Sequence, residues 1–279
     1  MRRETVDDFE DPRLTDYRNL KDSTLAGARG RFIVEGRGTL RVLLSRSRYR
    51  PDSILLSERT FAAIEPELTE FEPACPVYVG AQPILDRIVG FPIHRGCLAS
   101  CARDDLFDPL ELARSVRTES EAAPRIVVLE ALTNLDNVGL IFRNAMALGA
   151  RAVLLCPRSC DPLYRKAIRT SMGGSLCVPF ARARDFPAML LGLRDLGYEI
   201  LAFDPSDGSI DIQSVDVSGL GPTALLFGTE GPGLSASALA GADRCVRIGM
   251  EAGVDSLNVS VAAGIALSLL RNVDTGEDA

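Results

Sequence analysis

Residues 126–156 read IVVLEALTNLDNVGLIFRNAMALGARAVLLC. Ile126–Glu130 has the character of a strand, Asn137–Leu148 of a helix, and Ala152–Cys156 of a second strand. Gly149 follows the helix, where a left-handed cap ends it at little cost. Both strands are apolar on both faces, which fits strands covered on two sides in a parallel sheet with helical crossovers. The alternation continues with a helix at Leu163–Thr170, a strand at Leu176–Phe180, a helix at Phe186–Leu196 closed by Gly197, and a strand at Glu199–Phe203. Strand Ala224–Phe227, a short helix from Ser235, strand Val246–Ile248 and a long apolar helix Leu257–Leu270 complete it. Residues 125–279 are therefore expected to form an α/β domain around a mostly parallel sheet. In such sheets ligands sit beyond the carboxyl ends of the strands.

Upstream, residues 29–103 alternate in the same way on a smaller scale. Phe32–Val34, Ile54–Leu56, Val77–Val79 and Cys97–Cys101 read as strands, with Gly38–Leu44, Phe61–Ile64 and Ile84–Val89 as helices. This predicts a smaller α/β domain. Residues 1–28 read as a polar extension with one short helix at most. Residues 104–124, with Pro109 and Pro124 as breakers, leave room for a short helix over 109–116 but read mainly as a linker. A length of 279 residues agrees with two domains of about 150 residues each.

Apolar residues make up 46% and charged residues 25% of the chain, the balance of a globular protein with a sizeable core. Met1-Arg2-Arg3-Glu4 leads into acids, and no apolar run reaches the roughly 18 residues of a membrane span. The expectation is a cytoplasmic protein with no membrane partner. The formal net charge is −7, yet Arg29–Arg59 holds eight arginines against three acids, a local excess of five positive charges. Screening confines exposed charges to about 8 Å, so such a patch can meet phosphates despite an acidic total. A general bias toward arginine, with only Lys21 and Lys166 as lysines, accounts for the same excess without a ligand. Seven scattered cysteines without Cys-x-x-Cys, and a single histidine, His94, leave no expected metal site. The lone histidine also disfavours Ser-His-Asp and Cys-His mechanisms.

Three loops carry the chemistry. The first is Asn134-Leu-Asp-Asn137-Val-Gly139-Leu-Ile-Phe-Arg143-Asn144. It leads into a helix whose free N–H groups, capped by Asn134 or Asn137, favour anions. Taken alone, Arg143 is equally well a surface arginine on an amphipathic helix. The second, Phe227-Gly228-Thr-Glu230-Gly231-Pro-Gly233-Leu234, packs three glycines behind a buried strand, where something approaches the backbone closely. It is neither Gly-x-Gly-x-x-Gly nor a P-loop. Gly219-x-Gly221-x-x-Ala224 has the dinucleotide spacing but precedes a strand, so a dehydrogenase lacks its fingerprint. The third, Ile248-Gly249-Met250 through Ser256-Leu257-Asn258-Val259-Ser260, puts polar residues at the mouth of an apolar helix. Capping by Ser256 explains one of them. The small residues Ala262, Ala263, Gly264, Ala266 and Ser268 let this helix pack closely on a neighbour such as a second subunit.

These loops, in this order, resemble the three motifs of the SpoU (TrmH-like) family of knotted RNA methyltransferases, over roughly residues 124–272. The resemblance implies a deep C-terminal trefoil knot, S-adenosylmethionine as cofactor, a homodimer, and methylation of a ribose 2′-hydroxyl in structured RNA. By position, Gly228, Ile248 and Leu257, with Phe227, Gly231 and Met250 beside them, would bind the cofactor. Asn137, Arg143, Glu230, Ser256 and Asn258 would line the catalytic pocket. Phe32-Ile-Val-Glu-Gly36 and His94-Arg-Gly96 are similar to the ribosomal-protein-like RNA-binding domain of many members, which favours ribosomal over transfer RNA. Gly249 departs from the family, where Pro often follows the isoleucine. The family describes its motif-1 arginine, here Arg143, as the base. A free guanidinium stays protonated, however, and a fixed cation holding phosphate and developing alkoxide is the more conservative role. A non-catalytic RNA-binding protein with a degenerate pocket is the competing reading, against which the retained Arg143, Glu230, Ser256 and Asn258 argue.

Overall fold

The apolar strands assemble into two sheets. The structure, a computed structural model, describes residues 1–18, 22–89, 96–103, 107–120 and 122–271. Two compact units share the chain, one formed by Met1–Asp104 with Asp161–Cys177, the other by Asp105–Cys160 with Val178–Ala279.

The first unit comprises β1 (Arg2–Val6), α1 (Asp22–Arg29), β2 (Arg31–Glu35), α2 (Arg37–Arg46), β3 (Pro51–Ser57), α3 (Glu58–Phe71), β4 (Pro76–Gly80), α4 (Gln82–Val89) and β5 (Cys97–Ala102). Its strand order is β1-β4-β3-β5-β2, with β5 antiparallel to both neighbours and the other pairs parallel. The expected polar extension thus contains an edge strand, β1, paired in parallel with β4 from Arg2 opposite Pro76 to Val6 opposite Gly80. Only Val6 of its five residues is buried, so no hydrophobic alternation marked it. Leu14 and Tyr17, from a 3₁₀ turn that follows, are also buried in this unit's core.

The second unit opens with α5 (Pro109–Glu119), where the sequence read mainly as a linker with room for a short helix over 109–116. Asp108 caps this helix by accepting from the Leu110 and Glu111 amides, and Pro109 occupies its first turn, so the residues read as breakers are a helix start. Leu112, Ala113 and Val116 bury into the core of this unit. There follow β6 (Arg125–Leu129), α6 (Leu135–Leu148) and β7 (Ala152–Leu155). Next in sequence, α7 (Arg165–Thr170) and α8 (Gly174–Cys177) belong to the first unit, α7 packing on β2 and α8 on α2. The strand expected at Leu176–Phe180 is therefore two things: the end of α8, and the start of β8 (Phe180–Arg182). Leu176 and Phe180 are both buried, but in different units, which is why the run looked like one strand.

The chain continues through α9 (Phe186–Asp195), β9 (Glu199–Phe203), β10 (Ile210–Asp211), β11 (Thr223–Phe227), α10 (Ala236–Ala240), β12 (Arg244–Arg247) and α11 (Val259–Leu269). Strand order is β10-β12-β9-β11-β6-β7-β8, and every pairing is parallel. Strands β6, β7 and β11 are buried along their whole length, as the sequence indicated. From β6 the chain runs outward to β7 and β8, then crosses back to β9. That reversal opens a crevice at the strand ends near β11, the usual ligand position in an open parallel sheet. Arg125, buried at the start of β6, donates Nε to the Leu270 carbonyl at 2.8 Å and Nη1 to the Gly221 carbonyl at 2.8 Å. It thereby ties the end of α11 to the sheet, although burial lowers its pKa. Among the described residues no helix is long and apolar enough to cross a membrane.

Candidate active site

Each of the three loops is shaped by local chemistry before it meets the others. Asn134 caps α6, accepting from the Asp136 amide at 2.9 Å, and this leaves the buried Asn137 one turn in, facing inward. After β11 the chain turns on Gly231 (φ 86°) and Gly233 (φ 69°) and closes on itself, the Gly233 amide donating to the Thr229 carbonyl at 3.1 Å. The loop leaves through Ser235, whose amide and hydroxyl donate to the buried Glu130 carboxylate at 2.9 and 2.7 Å. Glu130 stands at the end of β6, so the first strand of the unit anchors the second loop. After β12 the third loop ends at Asn258. Its Oδ1 caps α11 by accepting from the Ser260 amide (2.9 Å) and the Ser260 hydroxyl (2.6 Å). The cap is Asn258, and Ser256 is free for the cleft.

Because the Asn258 oxygen is committed to the cap, its amide nitrogen points away from α11. It donates to Asn137 Oδ1 at 2.9 Å and to Glu230 Oε1 at 2.8 Å. Asn137 Nδ2 in turn donates to the same Glu230 oxygen at 2.9 Å. One residue from each loop thus forms a closed triangle, and only one orientation of each amide satisfies it. Two amide donors on one carboxylate oxygen hold it still.

Beside the triangle lies a cleft of about 150 Å³. Phe227, Gly228, Glu230 and Gly231 line it from the second loop, and Ile248, Met250, Ser256 and Leu257 from the third. The backbones of Gly228, Ile248 and Leu257 therefore border one space. The Phe203 and Phe227 rings stack at 4.6 Å with 16° between their planes, a flat apolar patch among the lining residues. A slot with apolar walls, main-chain edges and one polar end suits a ligand made of a flat heterocycle, a sugar and a charged tail. Phe203, Asp204 and Arg247 also line it, and neither glycine punctuation nor a polar cluster marked them in the sequence.

Arg143 is not part of this cleft. It lies six residues beyond Asn137 on α6, about 9 Å along the axis and on another face. It is exposed, with no ion pair or hydrogen bond among the described residues. Gly264 of α11 packs against Asn144 of the same chain, and Asn144 Nδ2 donates to the Ser260 carbonyl at 2.7 Å. The small residues of that helix therefore already serve an internal contact. His94 lies outside the described residues. In the arginine-rich stretch, Arg31 is paired with Asp16 and Asp52, and Arg41 with Glu67. Arg46, Arg50 and Arg59 are exposed and carry no ion pair among the described residues. All seven cysteines are thiols, and burial pushes the Cys97 thiol up to about 12 and that of Cys75 to about 11, so neither is a ready nucleophile.

The sequence profile described as the SpoU rRNA Methylase family matches residues 124–268. An uncharacterized tRNA/rRNA methyltransferase of Mycobacterium tuberculosis is 36% identical over 266 residues, covering 94% of this chain and 89% of its own. Among solved structures, an AdoMet-bound rRNA methyltransferase from Sinorhizobium meliloti superposes with a TM-score of 0.78 at 22% identity, covering 96% of this chain and 97% of its own. An RNA 2′-O ribose methyltransferase superposes with a TM-score of 0.71 at 24% identity, covering 96% and 98%. Those two likenesses establish the fold. With a profile spanning more than half the chain and a relative matched almost end to end, this protein belongs to the SpoU rRNA methylase family.

Proposed function

We propose that this protein transfers the methyl group of S-adenosylmethionine to the 2′-hydroxyl of a ribose in structured RNA, with ribosomal RNA as the substrate. The observation that carries the reading is the Asn137–Glu230–Asn258 triangle, built from three chain-distant loops at the polar end of one cleft. The AdoMet bound to the Sinorhizobium meliloti enzyme and the ribose 2′-O activity named for the other solved relative support it. The main-chain edges at Gly228, Ile248 and Leu257 would hold the cofactor, with the Phe227 wall against its flat ring. The cofactor supplies an electrophilic methyl group on a sulfonium.

The protein's own contribution is mainly positional. Orienting two reactants is worth about 7–11 kcal/mol, whereas a general base typically gives about 10²–10⁴-fold. The triangle fixes Glu230 and Asn258 at the polar end. Arg143, unpaired on the outer face of α6 and outside this chain's own cleft, holds the RNA phosphate and stabilises the ribose oxygen in the cleft of a second copy as its proton leaves to solvent. The smaller unit grips the RNA. A homodimer and the C-terminal trefoil knot belong to the same proposal; Val261 and Leu269, exposed two turns apart on α11, are apolar surface for a second copy.

Incubation with labelled cofactor and RNA from cells lacking the protein tests the reading. Label is expected in ribosomal RNA, as dinucleotides that resist alkali because the 2′-oxygen is blocked. Label in a methylated base, or in transfer RNA alone, overturns the corresponding part, and the absence of transfer favours the non-catalytic RNA-binding protein. A second expected outcome concerns the arginines. Replacing Arg46, Arg50 and Arg59 together by Gln should weaken RNA binding and flatten its salt dependence by roughly 0.7–0.9 log units for each phosphate that is no longer neutralised. Cofactor affinity should not change. Gln at Arg31 and Arg41, already paired with acids, should do much less, and an unchanged salt slope in the triple variant assigns the patch to ordinary surface.

A further inference from the structure

Three charged side chains line the cleft: Asp204, Glu230 and Arg247. Glu230 is committed to the triangle. Asp204 is committed to nothing in the cleft. We propose that Asp204 is a specificity-determining contact that accepts the ribose hydroxyl hydrogens of the cofactor, an inference that rests on the cofactor reading above.

The placement comes from the backbone. Asp204 directly follows β9, and its amide donates to the Val246 carbonyl of β12 at 3.0 Å, so it is fixed between two sheet strands rather than carried on a free loop. Its Oδ1 accepts from the Ser206 amide at 2.8 Å, a tight turn that sets the carboxylate's direction. Oδ2 has no partner among the described residues. In the strand order β12-β9-β11-β6, Asp204 lies on the β9 side, next to the Phe203–Phe227 stack. Glu230 is bound instead by α6 and α11, on the β6 side of β11. The apolar wall and the reacting end thus flank opposite sides of the slot, and Asp204 sits with the wall. A nucleoside seated with its ring on that wall places a vicinal diol next to it. On the half-buried Asp204, a carboxylate oxygen without a donor among the described residues is the complement of two O–H groups.

The variant Asp204→Asn separates this role from a structural one, because its side-chain oxygen still accepts from Ser206 while the charge is lost and N–H groups replace the acceptor. Calorimetry with S-adenosylhomocysteine and with 5′-methylthioadenosine, which keeps the diol but lacks the amino-acid tail, provides the readout. Both ligands should bind about 10- to 100-fold more weakly to the variant, the range for hydrogen bonds to a charged group. The wild-type protein should lose a similar factor with the 2′,3′-dideoxy form of S-adenosylhomocysteine, which the variant should not distinguish from the parent. Unchanged binding of both ligands overturns the proposal. So does a loss confined to S-adenosylhomocysteine, which would put the carboxylate on the ligand's ammonium group. Wild-type protein that binds neither ligand overturns the cofactor reading itself, and this one with it.

Discussion

Gly228→Ala should reduce affinity for S-adenosylhomocysteine by about 10²-fold, about 3 kcal/mol, because the backbone that lines the cleft is overpacked and must move. A Cβ built at Gly228 falls 2.5 Å from the Gly233 carbonyl oxygen and the Leu234 amide nitrogen. These are backbone atoms of the same loop, so no rotamer change relieves the contact. Nor can the loop yield cheaply, since the Thr229–Gly233 hydrogen bond closes it and Glu130 clamps its exit at Ser235. The chain from Gly228 to Gly233 must shift as a body and carry part of the cleft wall with it. The cost in stability should be about 1–3 kcal/mol, as for an overpacked site. Chemical denaturation measures that cost, and calorimetry on the folded variant measures the affinity. A folded variant that binds the ligand within twofold of wild type would show that this cleft is not where the cofactor sits. Gly231, where a Cβ meets nothing within 4 Å, has backbone strain as its only objection and should tolerate Asn better than Ala.

What made the larger unit readable was burial on both faces of its strands. Val127, Leu154 and Leu225 needed no knowledge of their neighbours to be placed in a parallel sheet, and Gly149 and Gly197 marked helix ends through their positive φ. The elements that escaped depend on partners far away in sequence. Strand β1 is held by main-chain pairing to β4, which leaves no pattern in side chains that are mostly exposed. Helix α5 was legible from Asp108-Pro109 but was masked by the surrounding acids and prolines. The same distinction governs the site. Glycines and asparagines announced the loops, because their geometry is locally demanding. That Asn258 rather than Ser256 caps α11 follows from where Glu230 and Asn137 stand, which no local pattern encodes. Asp204 follows an ordinary strand and acquires meaning only once β9, β11 and β12 are neighbours.

Arg143→Ala should lower kcat by about 10²–10³-fold while leaving cofactor affinity within twofold of wild type, the cost of deleting one fixed group that stabilises developing charge. The separation of the two effects follows from position. Arg143 touches neither the cleft lining nor the triangle, so its loss disturbs no wall of the cofactor site. It is exposed on α6 with no partner among the described residues, so its loss leaves no buried group unsatisfied and should change stability by less than about 0.5 kcal/mol. Lysine should not rescue turnover fully, because a point charge cannot bind a phosphate and a ribose oxygen with the two-pronged geometry of a guanidinium. The control is Asn258→Ala, which deletes both the α11 cap and two sides of the triangle. That variant should lose stability as well as turnover, about 1 kcal/mol for the cap alone. Single-turnover methylation, with unfolding measured alongside, distinguishes the two patterns. Turnover by Arg143→Ala within threefold of wild type would remove the arginine from the chemistry and leave Glu230 as the charged side chain at the reacting end.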